Sequence, residues 1–213
     1  MQNYFNFEEK SDYTKLNKPA DIIRNGGIVI FPTETVYGIG TNGLDENAIK
    51  KLYIAKQRPI NKPISLLVNG IEMINQVSRY ITKLEYALIK EFFPGPLTII
   101  LKKKDIVPDI LTANSDTVGI RMPSNEIALK LIEYAGVPIA TSSSNISGRP
   151  SGTNLKDIIK DFYGQVDYFI DNGPSKIGLA STVVQVINGI PNILRQGSIS
   201  EKQIRDVCLK YNE

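Results

Sequence analysis

The sequence has 213 residues, 42% of them hydrophobic, with 25 basic residues against 22 acidic ones, no histidine and one cysteine. That is enough apolar material for one α/β domain with a sizeable core, and the net charge of +3 is too small to argue for nucleic acid by charge alone. The missing histidine excludes the usual general base near neutral pH and imidazole zinc sites, and a lone cysteine, Cys208, excludes an internal disulfide or a thiolate metal cage. Any metal is therefore expected to be a hard cation arriving with a phosphate ligand. Cys208 falls in the last predicted helix, where it reads as core filler rather than nucleophile. The first residues do not form a secretory signal, and no run approaches the roughly 18 apolar residues of a membrane span, so a soluble, cytoplasmic protein without a membrane partner is expected.

Residues 1–20 read as an arm leading into a short helix that ends near Asn25-Gly26-Gly27, and residues 21–213 read as one domain. Ile28 to Phe31 is a compact buried strand closed by Pro32. Asp45 suits the N-cap of a helix that carries Ala48, Ile49, Leu52 and Tyr53 at helical spacing toward Lys56. Ile64 to Val68 is a strand. Thr82-Lys83-Leu84-Glu85 has the capping-box pattern, and its helix stops before Pro94-Gly95-Pro96. Strands follow at Leu97 to Leu101 and Val118 to Arg121. Ser124 is the expected cap of a helix through Tyr134, with Gly136 just past its end. Val137 to Ala140 is a buried strand feeding Thr141-Ser142-Ser143-Ser144-Asn145. Asn154 caps a helix to Tyr163, and Tyr168 to Ile170 is a strand. The clearest hairpin runs from Ser181 to Ile187, turns at Asn188-Gly189 and returns from Asn192 to Arg195. Ser200-Glu201-Lys202-Gln203 is a second capping box. This irregular interleaving predicts a twisted mixed β-sheet with flanking helices, not a purely doubly wound parallel one.

No Gly-x-x-x-x-Gly-Lys-Ser/Thr, no Gly-x-Gly-x-x-Gly after the first strand and no Gly-x-Ser-x-Gly elbow is present. P-loop, dinucleotide-binding and serine-hydrolase chemistries are excluded with them. Pro32-Thr33-Glu34-Thr35-Val36-Tyr37-Gly38 follows a buried strand, where α/β sheets place ligands; an ordinary capped turn accounts for it as well. Lys56, Arg58 and Lys62 can surround an anion or form a solvated basic helix end. Ser142 to Asn145 can donate to phosphate or base edges, or cap a helix. Arg121 ends a strand, open either to a bidentate carboxylate or to a surface ion pair. Asp171-Asn172-Gly173, Gly178 and Ser181-Thr182-Val183-Val184 make a loop entering a strand; turn chemistry explains its glycines better than its hydroxyl pair. Together, Lys56-x-Arg58 and Ser143-x-Asn145 look like two walls of one site for a phosphorylated ligand.

The order of these motifs adds a further argument. Pro32-Thr33-Glu34-Thr35-Val36-Tyr37-Gly38, Lys56-x-Arg58-Pro59, Pro94-Gly95-Pro96-Leu97-Thr98, Gly119-Ile120-Arg121-Met122-Pro123, Ser143-x-Asn145-x-Ser147-Gly148 and Ser181-Thr182-Val183-Val184 occur in that sequence. Over roughly residues 15–200 this pattern resembles the YrdC-like family of threonylcarbamoyl-AMP synthases (TsaC/YrdC type), in the short form without the C-terminal domain of longer relatives. The resemblance implies a YrdC-like catalytic domain whose sheet forms a basic concave groove. It also implies a nucleotidyltransferase reaction: L-threonine, bicarbonate or CO2, and ATP give threonylcarbamoyl-AMP and pyrophosphate, for the t6A modification of tRNAs reading codons that begin with A. By motif position, Thr35, Arg121, Ser143 and Ser181 are implied to hold L-threonine. Lys56, Arg58, Lys62, Thr117, Asn145, Thr153 and Arg195 are implied to hold ATP, with Lys56, Arg58, Ser143 and Asn145 as the catalytic set. Mg2+ is expected with ATP and no tightly bound metal; t6A-transfer machinery would act downstream, and weak tRNA binding is compatible with the groove.

One departure is Leu67, which stands where longer relatives carry a histidine, so the resemblance implies a differently lined amino-acid pocket. Closure over the nucleotide is likewise expected to need a device other than the C-terminal domain and its tyrosine-bearing linker. The rival readings are an RNA-binding YrdC-like paralogue without synthase activity, with a steep salt dependence, and a carbamoyl-adenylate module of hydrogenase maturation. The second normally sits in a larger chain with zinc-finger cysteines. Arg121, Ser143 and Ser181 together favour the synthase.

Overall fold

The computed structural model describes residues 3–7, 12–149 and 151–211. Its strands are β1 (Asn3–Asn6), β2 (Val29–Phe31), β3 (Gly38–Asn42), β4 (Ser65–Leu67), β5 (Leu97–Lys102), β6 (Thr117–Arg121), β7 (Ile139–Ser143), β8 (Tyr168–Asp171), β9 (Thr182–Ile187) and β10 (Ile190–Arg195). They form one sheet in the order β1-β8-β2-β3-β7-β4-β6-β5-β9-β10. The pairs β1/β8, β2/β8, β4/β6 and β5/β9 are parallel and the others antiparallel, so the sheet is mixed as expected. The α-helices are α1 (Asn17–Arg24), α2 (Glu46–Ala55), α3 (Ile71–Val77), α4 (Lys83–Phe92), α5 (Glu126–Ala135), α6 (Leu155–Phe162) and α7 (Glu201–Tyr211).

Local chemistry sets most of these boundaries. Asp45 accepts from the N–H groups of Asn47 and Ala48 at the start of α2. Thr82 and Glu85 make the reciprocal capping box of α4. Gly136 ends α5 in the left-handed region, at φ 68°. The cap of α5 is Asn125, whose side chain accepts from the Ala128 N–H, and not Ser124; two good capping residues stand side by side, and the one adjoining Glu126 takes the position. Asn188 and Gly189, at φ 52° and 75°, turn the β9–β10 hairpin.

Strand alternation separates two faces. Ala140, Leu66, Ile120, Ile99 and Val184 lie in registered neighbouring positions across β7, β4, β6, β5 and β9. They are buried in the larger core with Leu52 of α2, Leu88 of α4, Ile158 of α6 and Ile204 of α7. Their sequence neighbours Ser65, Leu67, Gly119, Arg121, Thr98, Ile100, Thr141 and Val183 therefore face the other way. On that second face, α1 and α5 cover only part of the sheet, packing Ile23, Leu131 and Ile132 against Val29, Phe31 and Ile139. The remainder is left open, and the site lies there.

Three elements differ from or add to the sequence reading. Asn3–Asn6 of the arm is an edge strand, parallel to β8, and the Tyr4 hydroxyl donates to Asp171 Oδ2 at 2.9 Å. β3 was not anticipated, because glycine is a poor strand former and Gly38-Ile39-Gly40 shows a single apolar residue. The glycine has a packing reason: a Cβ on Gly40 would sit 2.9 Å from the Ala140 carbonyl oxygen of β7. α3 was not anticipated either; its glycine N-cap, Gly70, makes no side-chain cap bond. Cys208 is buried in the core on α7, as expected. Among the described residues no helix is long and apolar enough to cross a membrane.

Gly197 shows how tightly the end of the sheet is laced. A Cβ there would lie 2.4 Å from both the Ala180 carbonyl oxygen and the Thr182 nitrogen, and its own N–H donates to Thr182 Oγ1 at 2.9 Å. Gly197→Ala is expected to cost about 1–3 kcal/mol, measured by urea denaturation, because rigid backbone must move.

Candidate active site

The open half of the second face holds a cavity of about 370 Å3. Its floor is the sheet itself: Gly38 of β3, Thr141 and Ser143 of β7, Ser65 and Leu67 of β4, Gly119 and Arg121 of β6, and Thr98 and Ile100 of β5. Thr33, Thr35, Arg58, Ser181, Leu194 and Arg195 complete the walls. Glycine keeps the floor low. A Cβ on Gly119 would approach Ser65 Oγ to 2.7 Å, and one on Gly38 would approach the Thr141 methyl to 2.9 Å.

Three guanidiniums meet here. Arg121 is buried, with Nη2 donating to Glu34 Oε1 at 2.7 Å and Nε to the Gly95 carbonyl at 3.2 Å. Arg195 donates from Nε and Nη2 to the Ser181 carbonyl at 3.0 and 2.7 Å, and from Nη2 to Ser181 Oγ at 3.0 Å. Arg58 donates to the carbonyls of Lys62 and Pro63, at 3.1 and 2.9 Å. Only Arg121 of the three has a carboxylate at ion-pair distance among the described residues. Burial lowers the pKa of Arg58 from its ordinary value; burial and then the facing Arg121 and Arg58 lower that of Arg195.

Hydroxyls line the space between these cations. Thr33 Oγ1 lies 2.9 Å from Thr35 Oγ1 and donates to the Val36 carbonyl at 2.6 Å. Ser181 Oγ lies 2.8 Å from Thr98 Oγ1. Ser143 Oγ donates to Asn145 Oδ1 at 2.5 Å. Tyr37 ties the surrounding segments together. Its hydroxyl donates to Asp171 Oδ1 or the Gly173 carbonyl, at 2.9 and 2.7 Å, and its own carbonyl accepts from the Ser144 N–H at 2.8 Å. Burial, foremost, raises the Tyr37 pKa.

The expected residues divide between the cavity and its surroundings. Thr35, Arg58, Arg121, Ser143, Ser181 and Arg195 line it, whereas Lys56, Lys62, Thr117, Asn145 and Thr153 do not. Lys56 is 1% exposed and donates from Nζ to the carbonyls of Ser143 and Asn145, the latter at 2.7 Å. Burial, and then Arg58, push its ammonium down from 10.5 to about 7. Lys62 is exposed and meets Arg58 through its carbonyl. Thr117 bonds Ser115 Oγ at 2.8 Å near the start of β6, and the Asn145 amide donates to the Ile146 and Arg149 carbonyls at 3.0 and 2.7 Å. Thr153 offers its carbonyl to the Ser175 N–H at 2.8 Å. Leu67 does line the cavity, as an apolar patch next to Arg121 in register.

Sequence reasoning passed over Glu34 and Thr98, although both stand inside quoted motifs. Glu34 is 8% exposed, and its Oε2 is buried without a partner among the described residues. An acid between two threonines just after a buried strand, with an arginine at a later strand end, was the available signal.

The family model Sua5_yciO_yrdC, described as "Telomere recombination", matches residues 21–197. The threonylcarbamoyl-AMP synthase of Pyrococcus abyssi is 43% identical over 207 residues, 97% of this chain and 61% of that protein. The threonylcarbamoyl-AMP synthase of Bacillus subtilis is 39% identical over 207 residues, 94% of this chain and 60% of that protein. The crystal structure of P. abyssi Sua5 complexed with L-threonine superposes with a TM-score of 0.93 at 43% identity, over 96% of this chain and 60% of that one. The chain thus spans about 60% of the length of these relatives.

Two outcomes follow from the buried charges. Glu34→Ala leaves the Arg121 guanidinium buried without its carboxylate and is expected to cost about 3–5 kcal/mol in urea denaturation. For Lys56, the unfolded chain titrates near 10.5 and the folded chain near 7, so between these values the unfolded chain holds the extra proton. Stability relative to Lys56→Met therefore rises with pH across that window. Paired denaturation curves at steps from pH 7 to pH 10.5 check the slope; a flat or falling difference contradicts it.

Proposed function

The chain belongs to the Sua5/YciO/YrdC family, and we propose that it makes threonylcarbamoyl-AMP and pyrophosphate from L-threonine, CO2 or bicarbonate, and ATP. The observation that carries this reading is the cavity lined by Arg58, Arg121 and Arg195 with a set of hydroxyls, where only Arg121 of the three is paired with a carboxylate among the described residues. Such a site suits a ligand bearing several negative charges beside a small amino acid.

In this reading Arg121, held by Glu34 and Gly95 through Nη2 and Nε, turns Nη1 to the threonine carboxylate, with Thr35, Ser143 and Ser181 around the rest of the amino acid. The threonine amine adds to the carbon of CO2 and loses a proton, or adds to bicarbonate with loss of water, giving a carbamate. A carbamate oxygen then attacks the α-phosphorus of ATP. The new O–P bond forms as the bond to the bridging oxygen breaks, and pyrophosphate leaves. Arg58 and Arg195 offset the charge on the phosphates. Ser143, hydrogen-bonded to Asn145, stands where the carbamate and the α-phosphate meet. No protein nucleophile enters and no histidine is called on; the amine's proton passes to water or bicarbonate.

Lys62, Thr117 and Thr153, which lie off the cavity lining, are outer contacts for ATP in this reading. The cavity offers cations and hydroxyls, and among the described residues no three of His, Cys, Asp and Glu gather as a metal site. We propose that Mg2+ enters with the phosphates of ATP, as part of the substrate. The product supplies transfer to tRNA for t6A, by machinery acting downstream in the cytoplasm.

The test is pyrophosphate release with threonine and bicarbonate omitted in turn; release that ignores threonine contradicts the proposal. Within the active reaction, Arg121→Ala is expected to raise KM for threonine and Arg58→Ala that for ATP. Each should rise by roughly 10- to 150-fold, the worth of one charge-assisted hydrogen bond, with the other substrate's KM little changed.

A further inference from the structure

We propose that Lys56 is a positioning residue that fixes the Ser143–Asn145 turn from behind, and that it does not touch phosphate. The inference rests on the function proposed above and concerns how that site is held.

The end of α2 separates the two cations of Lys56-x-Arg58. The helix closes at Ala55, the Lys56 N–H still bonds the Leu52 carbonyl at 3.1 Å, and Gln57 adopts φ 49°. The chain reverses at that left-handed residue. Arg58 reaches the cavity, while Lys56 runs into the protein and is 1% exposed.

Lys56 then holds the turn at both of its ends. Its Nζ donates to the carbonyls of Ser143 and Asn145, and its own carbonyl accepts from the Ser147 N–H at 3.1 Å. From the other side, the Tyr37 carbonyl accepts from the Ser144 N–H at 2.8 Å and from the Ser144 hydroxyl at 2.9 Å. The backbone through these residues is gripped on both sides, and Ser143 is the member that lines the cavity. Two carbonyl oxygens converging on one point would repel each other without a cation between them. No carboxylate pairs with this ammonium among the described residues; two of its three N–H groups go to these carbonyls, and at 1% exposure the group does not reach the cavity unless it moves off them.

The test compares Lys56→Met and Lys56→Gln with Arg58→Ala in pyrophosphate release, and measures the affinity of each for AMP, ADP and ATP. Lys56→Met is expected to lower kcat by at least about tenfold while KM for ATP and the preference for ATP over AMP stay near wild type. Lys56→Gln, whose amide donates to one carbonyl, should recover part of kcat. Arg58→Ala should instead lose affinity step by step with phosphate number. In the wild type, Lys56 Nζ should show no through-hydrogen-bond coupling to the 31P nuclei of bound ATP, a readout that needs no variant and no turnover. A Lys56→Met protein that keeps kcat but loses affinity in step with phosphate number, or an Nζ coupling to 31P of bound ATP, overturns the proposal. Failure of the function itself shows separately, as wild-type pyrophosphate release that does not need threonine.

Discussion

Arg195 faces Arg121 and Arg58 across one cavity, and the carboxylate of Glu34 neutralises only Arg121. Unshielded guanidiniums in a partly buried space repel one another, and the fold answers with carbonyls rather than acids. Lys62 and Pro63 steady Arg58, Ser181 steadies Arg195, and Gly95 shares Arg121 with Glu34. Carbonyl dipoles orient a cation without cancelling its charge, so the cavity stays positive, and an anionic ligand offsets what the protein leaves uncompensated. The surrounding architecture serves that arrangement. The segment 197–199 laces Thr182 and so places Ser181; the cap of α2 and Gln57 place Arg58; β6 in register with β4 places Arg121 beside Leu67.

Capping and turn chemistry made much of the fold legible, because it is local. Asp45, Thr82 with Glu85, Asn154, Ser200 with Gln203 and the Asn188-Gly189 turn all act within a few residues of themselves. β3 and the docking of β1 were not legible for the opposite reason. The glycines of β3 are explained only by how closely β7 approaches, and β1 pairs with a strand far along the chain. A sequence read by propensity sees neither partner.

The site divides along the same line. Arg58, Arg121, Ser143, Ser181 and Arg195 were named from motifs and do meet in space. Lys56 and Arg58 were read as one cationic cluster because they are two positions apart. The backbone conformation of Gln57 sends them to different places, and no composition or periodicity announces that angle. Glu34 was passed over because a single acid in a threonine-rich turn looks like turn chemistry until Arg121 arrives from another strand. In both cases what was missed is a residue that orients a neighbour, whose purpose is written in tertiary contacts.

A structure of the protein with L-threonine and a non-hydrolysable ATP analogue tests the central claim most directly. The account predicts the threonine carboxylate within about 3 Å of the Arg121 guanidinium, the phosphates against Arg58 and Arg195, and Lys56 still on the Ser143 and Asn145 carbonyls. Ligands seated elsewhere, such as the second cavity between Arg79 and Lys102, with the three guanidiniums left unengaged, would contradict it.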